Sequence, residues 1–227
     1  MFAQRFALAA AALALSAGAS AQVGITADLG TTGVGAHLVI PMESDLNGRF
    51  GVNYFKHDFD KTANHVGYAL DGKLQTVDVL FDWYLREGSN FRLTGGVLYN
   101  GTRFGAKAKP DANGRLTLNG HVFAAKDIGT VDGRIDYPKA APYIGIGWGN
   151  ALTAAKGGHG GWSVNADLGV FYMGNPNVKL GNADCATAAI ICKIVANDLA
   201  VESVHLRDAV DGLKVYPVLR ASLAYGF

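Results

Sequence analysis

The sequence predicts an all-β protein, a transmembrane up-and-down antiparallel β-barrel of about eight strands with long extracellular loops. Three observations favour this fold. The last twelve residues alternate between an apolar face and a mixed face, the same alternation recurs in earlier blocks, and the amino-terminal segment has the pattern of an export signal. An exported chain whose strands each carry one apolar face is typical of the outer membrane, where that face meets lipid.

The closing segment runs from Tyr216 to Phe227. Because side chains alternate between the two sides of a strand, residues of one parity share a face. The fully apolar face consists of Pro217, Leu219, Ala221, Leu223, Tyr225 and Phe227. The opposite face is mixed and carries Arg220 and Ser222. This pattern predicts the closing strand of a transmembrane barrel, with its apolar face toward lipid.

The amino-terminal segment predicts a signal peptide. Arg5 provides a positive charge, residues 6–15 form an apolar run, and Ala19-Ser20-Ala21 has the pattern of a cleavage site. The apolar run has about ten residues, which is too short to cross a bilayer as a helix. We therefore expect a signal peptide over residues 1–21 and one outer-membrane β-barrel domain over residues 22–227.

Five earlier blocks repeat the alternation, and each has one apolar face. The residues on these faces are Phe50, Val52 and Tyr54; Val77, Val79, Phe81, Trp83 and Leu85; Phe91, Leu93, Val97 and Tyr99; Pro142, Ile144, Ile146 and Trp148; and Trp162, Val164, Ala166, Leu168, Val170 and Tyr172. The aromatic residues lie mostly near the ends of the blocks, where an interfacial girdle would be. The repeat therefore predicts five more barrel strands.

The amino end of the barrel allows two interpretations. The apolar residues are odd-numbered from Val23 to Leu29 and even-numbered from Val34 to Ile40, so the parity changes across residues 30–33. This change indicates either a tight hairpin between two short strands or one long strand with a bulge. The hairpin gives eight strands in all, an even number with both termini at one end, and we expect eight.

The connections predict an orientation. With the last residue periplasmic, the turns at 41–48, 86–90 and 150–160 are periplasmic and short, while the segments 58–65, 105–139 and 175–213 are extracellular. Within these, residues 115–123 predict a small hairpin around Asn119-Gly120. Residues 197–213 predict a helix capped by Asn197 or Asp198, which we expect to lie over the barrel mouth.

Four stretches carry a resemblance to a known family: residues 29–35, 79–84, 141–149 and 216–227. On these stretches the chain resembles the small proteobacterial outer-membrane barrels of the OmpA/OmpW type. The resemblance covers most of the barrel and little of the loops. It implies the barrel fold and a location in the bacterial outer membrane, and it implies no reaction. A final Phe227 with Tyr225 two residues before it resembles the signal that the barrel-assembly machinery reads in such proteins.

The inward parity predicts a charged lumen. Its charged residues are Asp28, His37, Arg49, Asp78, Asp82, Arg92, Asp167 and Arg220. An eight-stranded barrel has room for side chains and little else, so we expect a network of ion pairs that fills the lumen. The alternative interpretation is a narrow ion pore, or a proton-responsive gate that works through His37.

The cysteines and the overall charge give further expectations. Cys185 and Cys192 are seven residues apart in an exported chain, so we expect a local disulfide rather than two free thiols. Removing residues 1–21 leaves 19 basic and 19 acidic residues. This balance gives no reason to expect nucleic acid as a partner.

Catalytic and metal sites are not indicated. His121, His159 and His205 fall in turns or loops, and no Ser, His and acidic residue cluster on an outward strand face. We therefore expect no enzymatic activity. The residues His57, Asp58, Asp60 and His65 could bind a divalent cation from one loop, but loops are commonly polar for solvation alone. We expect no metal and no cofactor.

The function that the sequence favours is that of a non-enzymatic envelope protein. Its barrel would anchor it as a monomer, and its extracellular loops would contact lipopolysaccharide or other surface molecules. The alternative is a narrow, porin-like pore or a transporter for small apolar molecules. Such a route would be lined by the inward aromatic residues Phe55, Tyr84, Tyr143, Phe171 and Tyr216. The rival fold is a soluble, lipocalin-like barrel, which would hold its apolar side chains inside.

Overall fold

The structure is a computed structural model that describes residues 22–63, 66–86, 88–153, 160–183, 185–210, 212 and 214–227. The predicted signal peptide lies outside the described residues. The described residues form thirteen strands and two helices. In chain order these are β1 Gly24–Gly30, β2 Gly33–Glu43, β3 Leu46–Ala63, β4 Val66–Tyr84, β5 Phe91–Asn100, β6 Arg103–Lys109, β7 Arg115–Leu118, β8 His121–Ala124, α1 Ala125–Ile128, β9 Thr130–Asp136, β10 Ala140–Trp148, β11 Gly161–Tyr172, β12 Asn177–Ala183, α2 Ala189–Val210 and β13 Val215–Gly226.

Eight of the strands form a closed antiparallel barrel. Each pairs with the next in the order β1, β2, β3, β4, β5, β10, β11 and β13, and β13 pairs back with β1. Closure leaves no row of unpaired backbone groups around the barrel wall. The predicted closed antiparallel barrel of eight strands is therefore confirmed.

Side chains alternate between the lumen and the outer surface along the barrel strands. Val164 on β11 and Ile144 on β10 are 73% and 68% exposed, whereas Val218 on β13 and Leu98 on β5 are 0% and 1% exposed. A pleated strand produces this alternation because successive side chains point to opposite faces. The apolar faces that the sequence predicts as outward lie on the outer surface.

The hairpin interpretation of the amino end is correct. β1 and β2 pair antiparallel from Gly24–Val39 to Gly30–Gly33, so the parity change marks a tight turn. Gly33 has a φ of 90°, which side chains disfavour, so the turn requires glycine at that position. The alternative, one long strand with a bulge, is wrong.

Two barrel strands continue far beyond the rim at the long-loop end. β3 has 18 residues and β4 has 19, and they stay paired up to Ala63 and Val66. Above the rim β4 pairs with β6, β6 with β9, and β9 with β12. We call this continuation of the barrel wall the extension sheet; it comprises residues 55–63 of β3, residues 66–74 of β4, and β6, β9 and β12.

The extension sheet corrects the prediction that residues 58–65, 105–139 and 175–213 are mainly loops. Much of their length is paired strand. β6 shows why the pattern is hard to recognise, since one face of Arg103–Lys109 carries Phe104 as its only large apolar residue beside Ala106 and Ala108. These strands are specified by pairing with their neighbours rather than by a hydrophobic period.

The predicted small hairpin is present. β7 and β8 pair over Arg115–Ala124 to Leu118–His121. The two turn residues, Asn119 and Gly120, have φ values of 47° and 81°. A two-residue turn of type I′ requires positive φ at both central positions, and Asn-Gly is the sequence that adopts it most readily.

The predicted helix is present but begins earlier than expected. α2 starts at Ala189, so Asn197 and Asp198 lie inside it and do not cap it. Its main contacts are with β12 and β7, and Val195 and Leu199 are buried against Leu116 of the hairpin. The helix therefore packs on the extension sheet and the hairpin rather than over the barrel mouth.

None of the described helices is both long and apolar enough to span a membrane.

Candidate functional site

The candidate site is the barrel lumen. The predicted set of charged residues occupies inward positions on seven of the eight barrel strands, and each member is at most 6% exposed. Their positions follow from parity, because every one of them has apolar outward neighbours on its strand. The side chains form two clusters, which we name the arginine cluster and the histidine cluster.

The arginine cluster consists of Arg49, Asp82, Arg92 and Asp167. The Asp167 carboxylate accepts hydrogen bonds from Nη1 and Nη2 of Arg49 at 2.9 and 3.1 Å, and from Nη2 of Arg92 at 2.7 Å. Asp82 accepts from Arg49 Nη2 at 3.0 Å and lies 3.4 Å from Arg92 Nε. Two guanidinium groups face two carboxylates, so the cluster is electrically balanced. Such pairing is what allows charges to be buried.

The histidine cluster consists of Asp28, His37, Asp78 and Arg220. Asp28 lies 2.7 Å from His37 Nδ1, while Asp78 and Arg220 Nη1 lie 3.1 and 3.3 Å from His37 Nε2. Arg220 Nη2 also donates to Asp78 at 3.1 Å. The imidazole either donates from both nitrogens as a cation or accepts from Arg220 as a neutral ring.

Neutral polar residues complete both clusters, and the sequence analysis did not single them out. Thr26 donates to both carboxylate oxygens of Asp28, at 3.0 and 2.9 Å. Asn53 donates to Asp78 at 2.7 Å, and Thr94 donates to Asp82 at 2.6 Å. All three share the inward parity of the charged residues, which is the signal that identifies them. They satisfy carboxylate lone pairs that the cations leave open.

Glycine makes room for two of the large lumen side chains. A Cβ atom added at Gly51 would overlap the ring of His37 and approach the backbone of Ala36. A Cβ added at Gly147 would lie 2.6 Å from Cζ of Arg92. No side chain fits at either position without displacing its neighbour. The glycines on the inward face are therefore part of the cluster geometry.

Apolar side chains seal the lumen at both ends. At the long-loop end, a buried group includes Leu80, Leu98, Tyr143, Phe171 and Val218, each at most 4% exposed. At the short-turn end, the buried residues are Val39, Ala151, Leu152 and Ala224. Ala151 and Leu152 come from the described part of the connection between β10 and β11 and pack with Val39 and Ala224. The charged clusters thus have buried apolar groups toward both ends of the barrel.

Tyr137, in the connection between β9 and β10, covers the group at the long-loop end. It is 4% exposed, and its ring lies edge-on to Phe104 of β6 at 6.3 Å between centroids. Burial raises the pKa of its hydroxyl. The extension sheet and its connections therefore help to close the mouth of the barrel.

The inward aromatic residues fill the lumen, with one exception. Tyr84, Tyr143 and Phe171 are at most 4% exposed, and Phe171 stacks on Tyr216 at 5.0 Å between centroids. Phe55 is 45% exposed and stacks on His57 at 6.2 Å. Phe55 lies above the rim on the extension sheet, so the expectation that it lines an internal route is wrong. β3 continues beyond the rim of the barrel, and the parity of a residue does not show where the rim lies.

The remaining predicted residues lie outside the lumen. Cys185 and Cys192 are joined by a disulfide at the start of α2. Tyr225 contacts Trp162 of β11 and Phe227, with ring centroids 5.0 and 4.9 Å apart, at the short-turn end. The backbone N–H of Phe227 donates to the carbonyl oxygen of Val23 at 2.8 Å. The aromatic contacts join β11 and β13, the last two strands in the order of the barrel, and the backbone hydrogen bond joins the end of the chain to the residue before β1.

The metal-like group of the sequence analysis falls partly outside the described residues. His65 is not among them, and nothing is described of the Asp60 side chain. His159, one of the histidines considered for catalysis, also lies outside the described residues. Within the described part of the chain, no group of three or more His, Cys, Asp or Glu side chains could hold a metal ion.

One histidine–carboxylate pair lies outside the lumen. His121 Nδ1 is 2.9 Å from the Asp198 carboxylate, which also accepts from Asn119 at 3.2 Å. Asp198 is 6% exposed, and the contacts attach the hairpin to α2. Covalent catalysis by such a pair needs a nucleophilic hydroxyl or thiol next to the histidine. None is hydrogen-bonded to His121 among the described residues.

Comparison with known proteins identifies the fold. No family model matches the chain, and no curated protein matches it. Two solved structures from Acinetobacter baumannii resemble it. CarO is 20% identical, with a TM-score of 0.55 over 90% of this chain and 97% of that chain. CarO2 is also 20% identical, with a TM-score of 0.57 over 91% of this chain and 98% of that chain. At this identity the likeness shows the fold, a closed antiparallel barrel of eight strands, which this chain shares with both.

Proposed function

We propose that this chain is an integral outer-membrane β-barrel that is closed to solutes, and that its extension sheet acts at the cell surface. The barrel is the anchor, and the extension sheet with α2 and the hairpin is the functional part. The protein acts as a non-enzymatic envelope component.

The membrane location is supported by the outer surface of the barrel. Its large apolar side chains are exposed rather than buried, as for Leu29 at 66%, Trp162 at 67% and Val164 at 73%. Exposure of this surface to water would be unfavourable, since each square ångström of exposed apolar area costs roughly 25 cal/mol of free energy. A soluble carrier barrel would instead place its apolar side chains inside. Fractionation tests this: recovery from outer membranes only with detergent is expected, and recovery in the soluble periplasm would reject the location.

The proposal that the barrel is closed to solutes rests on the burial of the side chains in the lumen. Both clusters pair their charges internally, and apolar side chains cover them toward each mouth. A water-filled pore would need hydrated polar walls along its length, whereas here Arg49, Asp78 and Asp167 are at most 4% exposed. Most of their hydrogen bonds are made within the clusters, although Arg49 Nε and Asp78 Oδ1 have no partner among the described residues.

Conductance across a planar lipid bilayer tests the closed state. We expect the purified, folded protein to give no reproducible current steps. The double variant Phe171→Ala, Leu80→Ala lacks two side chains of the buried apolar group. It is measured beside the wild type as the variant in which a current is easiest to detect. Stable unitary steps from the wild-type protein would contradict the closed state and favour the pore alternative. Silence of the wild type under conditions in which a known porin conducts would support it.

The proposal that the protein is not an enzyme can be tested at His121 and Asp198, a histidine–carboxylate pair of the described residues that lies outside the lumen. The His121–Asp198 pair links two surface elements and has no hydroxyl or thiol hydrogen-bonded to His121 among the described residues. Incubating the folded protein with phospholipids and lipid A tests this. Unchanged lipids by mass spectrometry are expected, and release of a fatty acid that depends on His121 would overturn it.

A further inference from the structure

The outer face of the extension sheet is basic where it meets the apolar outer surface of the barrel. Tyr54 on β3 and Tyr99 on β5 are the last large outward side chains of the barrel, 45% and 54% exposed. The next outward positions of the sheet carry Lys56, Lys73 and Arg103. These three are direct cross-strand neighbours, since Lys56 pairs in register with Lys73 and Lys73 with Arg103.

Three like charges in adjacent register positions repel one another. Facing side chains on neighbouring strands are about 5 Å apart at Cβ, and like charges there destabilise a sheet. Two of the three have acidic neighbours, at 3.1 Å from Lys56 Nζ to Asp58 and 3.4 Å from Arg103 Nε to Asp136. Lys73 has no carboxylate within ion-pair distance among the described residues. Its Nζ lies over the ring of Tyr54, 5.6 Å from the centroid.

A fourth cation lies at the same level. Lys139 follows β9 and places its Nζ over the ring of Tyr99, 5.9 Å from the centroid. It too has no carboxylate within ion-pair distance in the described part of the chain. Lys73 and Lys139 thus each lie against an outward tyrosine at the upper limit of the apolar surface. We call Lys56, Lys73, Arg103 and Lys139 the basic rim.

The same sign of charge continues up the sheet. Register places a further set of basic residues on this face, namely Lys107, Lys109, Arg134 and Lys179. The acidic residues that register places on it are Asp58, Asp60, Asp71, Asp132 and Asp136. Cations therefore outnumber acidic residues on this face by eight to five, although residues 22–227 as a whole carry 19 of each sign. The opposite face carries the apolar contacts with α2 and the hairpin.

We propose that the basic rim binds the phosphate groups of anionic glycolipid headgroups in the outer leaflet, with the acyl chains of the same lipids against the apolar surface below. This inference rests on the membrane location proposed above and names the lipid chemistry that the surface sheet recognises. Tyrosine favours the interface between hydrocarbon and headgroups, which sets the depth at which Tyr54 and Tyr99 lie. The cations beside the two rings then reach headgroup phosphates.

The residue types suit this chemistry. Lysine supplies a flexible point charge whose alkyl chain lies along an aromatic ring, and arginine supplies a planar fork that matches phosphate oxygens. Continuity between an apolar surface and a cationic row favours a lipid over a soluble anion, because one molecule satisfies both surfaces. Bound phosphate also removes the mutual repulsion of Lys56, Lys73 and Arg103.

The test measures binding of defined lipids to the full, folded protein in detergent micelles by native mass spectrometry. The probes are bisphosphorylated lipid A and the same lipid with its phosphates removed. The variant is Lys73→Gln, Arg103→Gln and Lys139→Gln. The matched control removes the same number of charges elsewhere, through Lys126→Gln, Lys193→Gln and Arg207→Gln on the two helices.

We expect the basic-rim variant to bind bisphosphorylated lipid A at least about tenfold more weakly than the wild type and the control. Each basic residue near an anionic lipid surface contributes on the order of fivefold. Dephosphorylated lipid A should bind as weakly to the wild type as the phosphorylated lipid binds to the variant. Equal binding by wild type and variant, or wild-type binding that inorganic phosphate at millimolar concentration abolishes, would overturn the proposal.

Insertion is measured separately in phosphatidylcholine vesicles, by the shift of the folded band on unheated gels. If the wild type, the basic-rim variant and the control all insert and bind lipid A equally, the lipid-binding role of the basic rim is wrong and the membrane location stands. Failure of the wild type to insert would overturn both the membrane location and the inference that rests on it. Insertion with selective loss in the basic-rim variant supports both.

Discussion

Asp167 on β11 and Arg49 on β3 meet in the lumen through two hydrogen bonds, of 2.9 and 3.1 Å, although they are 118 residues apart in the chain. In the order of the barrel these two strands lie opposite each other, four positions apart in a ring of eight. The pair therefore spans the barrel and ties its opposite walls together. Asp167 is also the acceptor for Arg92, so one carboxylate holds two guanidinium groups.

Removing this carboxylate should destabilise the barrel strongly. Asp167→Asn keeps the size of the side chain but leaves Arg49 and Arg92 short of one negative charge in a buried site. Breaking a buried ion pair by removing one partner costs about 3–5 kcal/mol. Urea titration in lipid vesicles, followed by tryptophan fluorescence, measures the free energy of unfolding. Asp58→Asn is the control, because its ion pair with Lys56 is exposed, and a comparable loss in that variant would contradict the explanation.

Gly51→Ala should disturb the histidine cluster. The added Cβ meets the ring of His37 and the backbone of Ala36, and overpacking of this kind costs about 1–3 kcal/mol. Gly95→Ala is the matched control, since a Cβ at this outward position has nothing within 4 Å. We expect loss of stability in the first variant and none in the second by the same urea titration. Equal stability of the two would show that His37 is not held against Gly51.

The disulfide should stabilise the start of α2 rather than the barrel. Closing the loop between Cys185 and Cys192 contributes about 2–3 kcal/mol in the chain-entropy model. Mass spectrometry of unreduced peptides should show the crosslink, and hydrogen exchange should become faster around residues 189–195 after reduction. Exchange in β11 and β13 serves as the internal control. Two thiols that alkylate freely under oxidising conditions would refute the pairing.

The aromatic contacts at the short-turn end should matter for assembly. Phe227→Ala removes the ring that lies edge-on to Tyr225, which in turn contacts Trp162 on the neighbouring strand. We expect a smaller fraction of protein in the folded, heat-modifiable form in outer membranes. Phe227→Tyr retains the ring and should assemble as the wild type does. If the alanine variant assembles equally well, neither the contact nor an assembly signal depends on this side chain.

Parity was sufficient to identify the lumen. Each inward residue, such as Asp78 or Arg92, has outward apolar neighbours on the same strand, so a local pattern fixes its side of the sheet. Its partners do not follow from that pattern. Asp28 could pair with His37 or Arg220 as far as sequence is concerned. The register does not choose between them, because each lies two residues from a direct partner of Asp28. The side-chain geometry does, with Asp28 2.7 Å from His37 Nδ1.

The extension sheet and α2 show where local patterns fail. β6 and β12 have few large apolar residues, and their structure depends on strands that are distant in sequence. The sequence favours Asn197 or Asp198 as the helix cap, because asparagine and aspartate prefer that position. In the structure both lie inside α2. Asp198 accepts hydrogen bonds from the hairpin. A tertiary contact of this kind leaves no periodic signal in the chain.

The unbroken path of β4 has a mechanical consequence. Lys73 on the extension sheet and Asp78 in the lumen belong to the same strand, separated by five residues or about 17 Å of extended backbone. No hinge interrupts the strand between them, and β3 runs beside it with continuous register. A lateral force on the tip of the extension sheet is therefore transmitted along β3 and β4 to the barrel wall. The ion pairs of the lumen oppose the resulting deformation of the barrel. Under the membrane location proposed above, a force applied to the extension sheet at the cell surface would act directly on the transmembrane part of the barrel.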